Sequence, residues 1–91
     1  MYLHIGEEAV VRTDEVLGIF DIENTTVSPA TREFLAAAEQ HGNVVTIGDD
    51  LPRSFVVGVD KNGTQTVYIS QISCATLRKR ARLMSNSPNL W

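Results

Sequence analysis

The sequence predicts an α+β fold: one small domain of mainly antiparallel strands with two helices, in the order ββ(β)αβββα. Three observations predict it. Short apolar runs with period-two alternation, too brief for helices, recur from Tyr2 to Ser70. Asn62-Gly63 separates two of these runs and is a strong hairpin signal. Two other stretches, Pro29 to about His41 and Ser73 to about Leu83, space their apolar residues at helical intervals.

Tyr2-Leu-His-Ile5 alternates and stops at Gly6, and Ala9-Val-Val-Arg12 resumes, so residues 2–12 form a short hairpin with Glu7-Glu8 solvated in its turn. Thr13-Asp-Glu15 caps a single helical turn before a strand over Val16–Asp21. Glu23-Asn-Thr-Thr26 then breaks the pattern with short polar side chains that favour turns, making a polar elbow. Ser28 is placed as N-cap and Pro29 at the first helical position, where its missing N–H costs nothing. Gly42 supplies the left-handed residue that ends this helix, and its three consecutive alanines suit close approach to a sheet or helix. Phe34, Ala37, Ala38 and His41 share one arc, flanked by Ala30 and Leu35.

Residues 43–47 read as the next strand, 48–52 as a loop, and 53–60 as a strand with a bulge-prone Gly58. In the partner strand, Gln65–Ser70, Val67 and Ile69 are expected to face in, with Thr66, Tyr68 and Ser70 facing out. Ser73 caps the last helix, whose stripe Cys74, Leu77, Ala81, Met84 packs against the core. The domain is thus expected to span residues 1–84, with 85–91 as a flexible C-terminal tail.

At 91 residues the chain sits near the size where oligomerisation often supplies missing burial. No apolar run approaches the ~20 residues that cross a bilayer, and no basic stretch precedes an apolar core near Met1, so neither a membrane span nor a signal peptide is expected. One cysteine excludes an intrachain disulfide, and a cytoplasmic location follows as the default.

Catalytic constellations are missing. His4 and His41 have no ligand neighbours at metal-binding spacing, so no metal site is expected. Cys74 lies in a helix's first turn, where a thiol pKa can drop, but its apolar stripe makes it a core residue. No Gly-rich phosphate loop or nucleophile–base arrangement emerges. The sequence argues against an enzyme and against a bound cofactor.

Charge is distributed unevenly. Up to Leu77, Arg12, Arg32, Arg53 and Lys61 stand against all eleven acids, whereas Arg78, Lys79, Arg80 and Arg82 fall within five positions. With Leu77 pointing inward, Arg78, Arg82 and Lys79 project at about 100°, 140° and 200°, one solvent-facing patch. Helix-dipole placement accounts for one or two cations in the last turns; four in five positions exceed it. Arg32 occupies the first turn of its helix, against the dipole, which calls for a partner: a carboxylate such as Asp21 or Glu23, a neighbouring subunit, or an external phosphate. Arg53, at the start of its strand, could serve similarly.

Tyr2-Leu-His-Ile-Gly6, Ile19-Phe-Asp-Ile-Glu-Asn-Thr-Thr26, Thr31-Arg-Glu-Phe-Leu35, Leu51-Pro-Arg-Ser-Phe55, Tyr68-Ile-Ser70 and Ser73 to Arg82 together resemble the RemB branch of the RemA/RemB family of small bacterial regulators of extracellular-matrix and biofilm genes. The resemblance spans about residues 2–83. It implies an α+β subunit that assembles into a homo-oligomeric ring and holds double-stranded DNA by its phosphate backbone. The chain departs from the RemA branch where that branch pairs two arginines, since only Arg53 remains in Leu51-Pro-Arg-Ser54, and where a further arginine is replaced among Asp14-Glu15. The expected function is non-catalytic, DNA-binding transcription regulation, with Arg32, Arg53, Arg78, Lys79 and Arg82 as candidate phosphate contacts. The alternative is an oligomeric interaction module that has lost DNA binding and acts through a protein partner such as a RemA-like relative.

Overall fold

A strand needs cover on each face that carries apolar side chains, and here the central strand carries them on both. In the computed structural model, which describes residues 1–22 and 28–84, the strand Ser54–Val59 is buried along nearly its whole length. The elements are β1 (Tyr2–Gly6), β2 (Ala9–Arg12), a 3-10 turn (Thr13–Glu15), β3 (Val16–Asp21), α1 (Pro29–Gln40), β4 (Val44–Thr46), β5 (Ser54–Val59), β6 (Gln65–Ser70) and α2 (Cys74–Met84). Among the described residues this is the α+β order the sequence predicts. The polar elbow at Glu23–Thr26 and the tail at 85–91 lie outside the described residues.

β1 and β2 form an antiparallel hairpin; the other strands form a four-stranded sheet in the order β3-β5-β6-β4. β5 runs antiparallel to both of its neighbours, β3 and β6, while β4 runs parallel to β6. The parallel pair follows from connectivity. β3 and β4 point the same way at opposite edges, so the chain between them crosses the sheet, and α1 is that crossover.

Alternation along β5 divides the core in two. Phe55 and Val57 point to one face, where they pack with Val67, Leu35, Ala38, Val44 and Ile69 under α1. Val56 points to the other, joining Leu3, Ile5, Val11, Ile19, Cys74, Leu77 and Ala81 under the hairpin and α2. Both helices therefore have a face to cover, one on each side.

This second layer corrects one expectation. Tyr68 and Ser70 of β6 do not face solvent: Tyr68 packs against the hairpin-side core and Ser70 is fully buried. The hydroxyls of Ser70 and Ser54 are satisfied there, donating to the Ile5 carbonyl at 2.6 Å and the Ile72 carbonyl at 2.7 Å. The Ile72 N–H returns a bond to Ser70 Oγ at 3.0 Å. Two serines thereby tie β1 and the start of α2 to the sheet.

The helix termini largely follow the local chemistry. Ser73 Oγ accepts from the Thr76 N–H at 3.2 Å and bonds Thr76 Oγ1 at 2.9 Å, a side-chain cap. Ser28 holds the N-cap position of α1 with extended backbone and Pro29 follows it, but its hydroxyl makes no cap bond. The inward row of α1 is Thr31, Leu35 and Ala38; Phe34 and Ala37 are more exposed, and no residue of the helix is fully buried. The predicted arc is thus rotated by part of a turn. In the β5–β6 hairpin, Gly63 has φ 81° and Asp60 Oδ1 accepts from the Asn62 and Thr64 N–H groups at 2.8 and 3.0 Å. The turn is organised by Asp60 as much as by Asn-Gly.

The bulge falls opposite Gly58, not within its strand. Val16 pairs with Gly58 and Gly18 with Val57, so β3 carries the extra residue. The extra residue moves Leu17 off the face that Val16 and Ile19 share and toward α1.

Candidate nucleic-acid interface

The cations of α2 are placed by a helix that has little choice of rotation. Leu77 and Ala81 are fully buried and Cys74 nearly so. The opposite side of the helix therefore presents Lys79 and Arg82 to solvent, with no side-chain partner among the described residues.

Arg78 is exposed as a whole, but its guanidinium is engaged: Nη2 donates to the Ile19 carbonyl at 3.0 Å. Arg80 turns the other way and is half-buried; its Nη1 donates to the His4 carbonyl at 3.2 Å and lies 3.5 Å from His4 Nδ1. His4 Nε2 bonds the Glu7 carbonyl across the hairpin turn. Two of the four clustered cations thus fasten α2 to β3 and β1, which sequence spacing alone did not disclose.

Arg53 sits where three strands end. Its N–H donates to the Ser70 carbonyl at 2.9 Å and its carbonyl accepts from the Ile22 N–H at 3.2 Å, between the exits of β3 and β6. Its side chain is exposed beside Asp50, Leu51, Pro52 and Gln71. The preceding loop is held by Gln71, whose amide oxygen receives the Asp49 and Asp50 N–H groups at 2.7 and 2.8 Å. Gly48, at φ +82°, permits this: a Cβ there would fall within 1.8 Å of the Gln71 amide group.

Arg32 is exposed in the first turn of α1, where its N–H donates to the Ser28 carbonyl at 3.0 Å. It belongs to the layer opposite α2, so the sheet separates it from Lys79 and Arg82. One subunit does not gather the five candidates into a single patch. It offers two exposed cations on α2, with Arg78 beside them, and Arg53 and Arg32 elsewhere.

The remaining chemistry is structural. Arg12 and Asp14 form a two-point ion pair at 3.1 and 2.8 Å on the exposed rim. The hydrogen bond from Arg12, with its charge, holds the Asp14 carboxyl below its ordinary range. Cys74 Sγ lies 3.6 Å from the Ile19 carbonyl, and burial pushes its thiol up, outweighing the nearby Arg78 charge. A raised pKa is the reverse of what a nucleophile needs. Among the described residues no group of His, Cys, Asp and Glu is placed to hold a metal. None of the described helices is long and apolar enough to cross a membrane.

Residues 2–81 match the family model RemA-like, described as extracellular matrix regulatory protein A-like. The chain belongs to the RemA-like family. Extracellular matrix regulatory protein B of Bacillus subtilis (strain 168) is 40% identical over 84 residues, covering 92% of this chain and 94% of that protein. Within the RemA-like family the chain is therefore RemB-like, and the family is named for regulation of the extracellular matrix. The match ends at residue 81, within α2 and one residue short of Arg82.

Proposed function

We propose that this chain is a non-catalytic DNA-binding transcription regulator of extracellular-matrix and biofilm genes. It acts in the cytoplasm as a homo-oligomeric ring whose subunits contact DNA phosphates. The observation that carries the reading is the outward side of α2, where Lys79 and Arg82 stand exposed on a helix whose rotation is fixed by Leu77 and Ala81. Two or three cations per subunit give only weak, salt-sensitive contact with a polyanion. Copies arranged on a shared rim multiply it through effective concentration. Arg53 and Arg32 extend the contact only if neighbouring subunits bring them to the same DNA.

The acidic majority of the charges favours a second reading, in which the oligomer binds a protein partner such as a RemA-like relative and no DNA. Band shifts on duplex DNA over a salt series separate the two. The DNA reading expects affinity that falls steeply with salt and is lost in Lys79→Glu/Arg82→Glu, while circular dichroism and light scattering stay unchanged. Absence of binding at low salt, or binding indifferent to the double variant, would overturn it. A strict monomer by light scattering would overturn the ring.

A further inference from the structure

An apolar groove of about 360 Å³ lies between α1 and the β3 edge of the sheet, on the face away from α2. Leu17, Phe20 and Phe34 form its rim at 65%, 37% and 37% exposure, and Phe55 lies at its floor. Among the described residues that line it none is charged, and Thr31 and Gln65 are the polar ones. Two local features build it. The β3 bulge moves Leu17 to this side. Gly18 lets the Phe20 ring lie over the backbone, since a Cβ there would meet the ring at 2.7 Å, and Phe20 stacks on Phe55 with centroids 5.0 Å apart. The volume is at the small end of the ~300–1,000 Å³ usual for ligand-sized pockets, room for one aromatic side chain.

A second apolar surface lies on the opposite side of the subunit. β1 and β2 turn Leu3, Ile5 and Val11 into the core beneath the hairpin, so alternation turns Tyr2 and Val10 outward, at 58% and 52% exposure. Among the described residues, Tyr2 is the one exposed aromatic side chain that the groove does not already contain. Arg12, its cross-strand neighbour, is paired with Asp14, and Glu7 and Glu8 lie at the far end of the hairpin, in the turn. The surface around Tyr2 therefore brings no unmatched arginine charge to an uncharged groove, where one would be costly to bury.

We infer that the groove seats the Tyr2 side chain of a second copy of this chain, an assignment that rests on the homo-oligomeric reading proposed above. The ring lies between Leu17 and Phe34, and the hydroxyl reaches Gln65 or Thr31. A tyrosine has an apolar body and a polar tip, which suits a slot with aromatic walls and two polar groups. Aromatic anchors set into pockets are also where interfaces concentrate their binding energy. Groove and Tyr2 occupy opposite sides of the sheet, so the contact joins two different surfaces, head to tail. Contacts of that type close rings, whereas a self-complementary patch stops at a pair. Seating the ring would also cover Leu17, Phe20 and Phe34 beside α1, a helix with no fully buried residue of its own.

Light scattering on four samples tests this. The unaltered chain is expected to assemble, and Tyr2→Ser and Leu17→Asp are each expected to fall to the mass of one chain. Circular dichroism should stay unchanged, since both side chains are more than half exposed. Mixed in equal amounts, the two variants should form a particle of two chains and nothing larger. One keeps the groove and the other keeps Tyr2, and each lacks the surface needed to add a third copy. Two variants that retain the unaltered mass overturn the proposal and leave the oligomer standing. Loss of assembly in one variant alone also overturns it, because the groove and Tyr2 are then not partners. So do two single-chain variants that fail to recombine, which excludes a head-to-tail contact. A single-chain mass for the unaltered protein overturns it together with the ring.

Discussion

The Arg78 guanidinium donates to the Ile19 carbonyl at 3.0 Å, and the Cys74 thiol meets the same oxygen at 3.6 Å. One β3 carbonyl thus anchors the first turns of α2, and an arginine that belongs by spacing to the solvent-facing patch also holds the helix in place. Hydrogen bonds to charged groups contribute about 1.5–3 kcal/mol, and partial exposure brings this one to the low end. Arg78→Ala is expected to cost about 1.5 kcal/mol by urea denaturation. Lys79→Ala, which removes no bond within the described residues, should stay within about 0.5 kcal/mol. Equal effects from both would remove Arg78 from the fold's support.

Ser70 is the more consequential hydroxyl. It donates to the Ile5 carbonyl and accepts from the Ile72 N–H, with no solvent contact. Ser70→Ala strands an acceptor and a donor together, each costing about 1–3 kcal/mol. The expected loss is about 2–4 kcal/mol, seen as a lower urea midpoint at unchanged slope. Loss below about 0.5 kcal/mol would mean water replaces the hydroxyl.

Cys74 should behave as a core residue. With its thiol buried and its pKa raised, labelling by a disulfide reagent is expected to proceed only as fast as the protein opens, and to become rapid in denaturant. Fast stoichiometric labelling of the folded chain at neutral pH would contradict this packing.

Asp14 supplies the pH dependence. Its folded pKa is lowered by Arg12, so the pair's contribution is present above the unfolded carboxylate pKa and fades as pH falls through the folded value. Both side chains are exposed, at 44% and 64%, which keeps that contribution small. Carboxyl-resolved NMR titration should show the Asp14 midpoint rising toward the ordinary range in Arg12→Gln. An unchanged midpoint would show that the pair is absent in solution.

Local rules made much of the chain legible. Alternation located the strands, Pro29 and Ser73 marked the helix starts, Asn62-Gly63 marked a hairpin, and the spacing of Cys74, Leu77 and Ala81 identified the buried side of α2. Each is set by residues within a few positions of one another, where backbone sterics and side-chain period suffice. The family, too, was legible in the order of short motifs.

Tertiary structure decided what depends on distant partners. Tyr68 and Ser70 turn inward because the hairpin and α2 cover a second face of the sheet, and period two cannot say how many faces are covered. Arg78 and Arg80 are drawn to carbonyls on β3 and β1 that lie 59 and 76 residues away in sequence. β4 runs parallel because α1 carries the chain across the sheet. A side chain's local pattern fixes the direction it leaves the backbone; what it meets there is supplied by residues far along the chain, and only the folded arrangement brings them together.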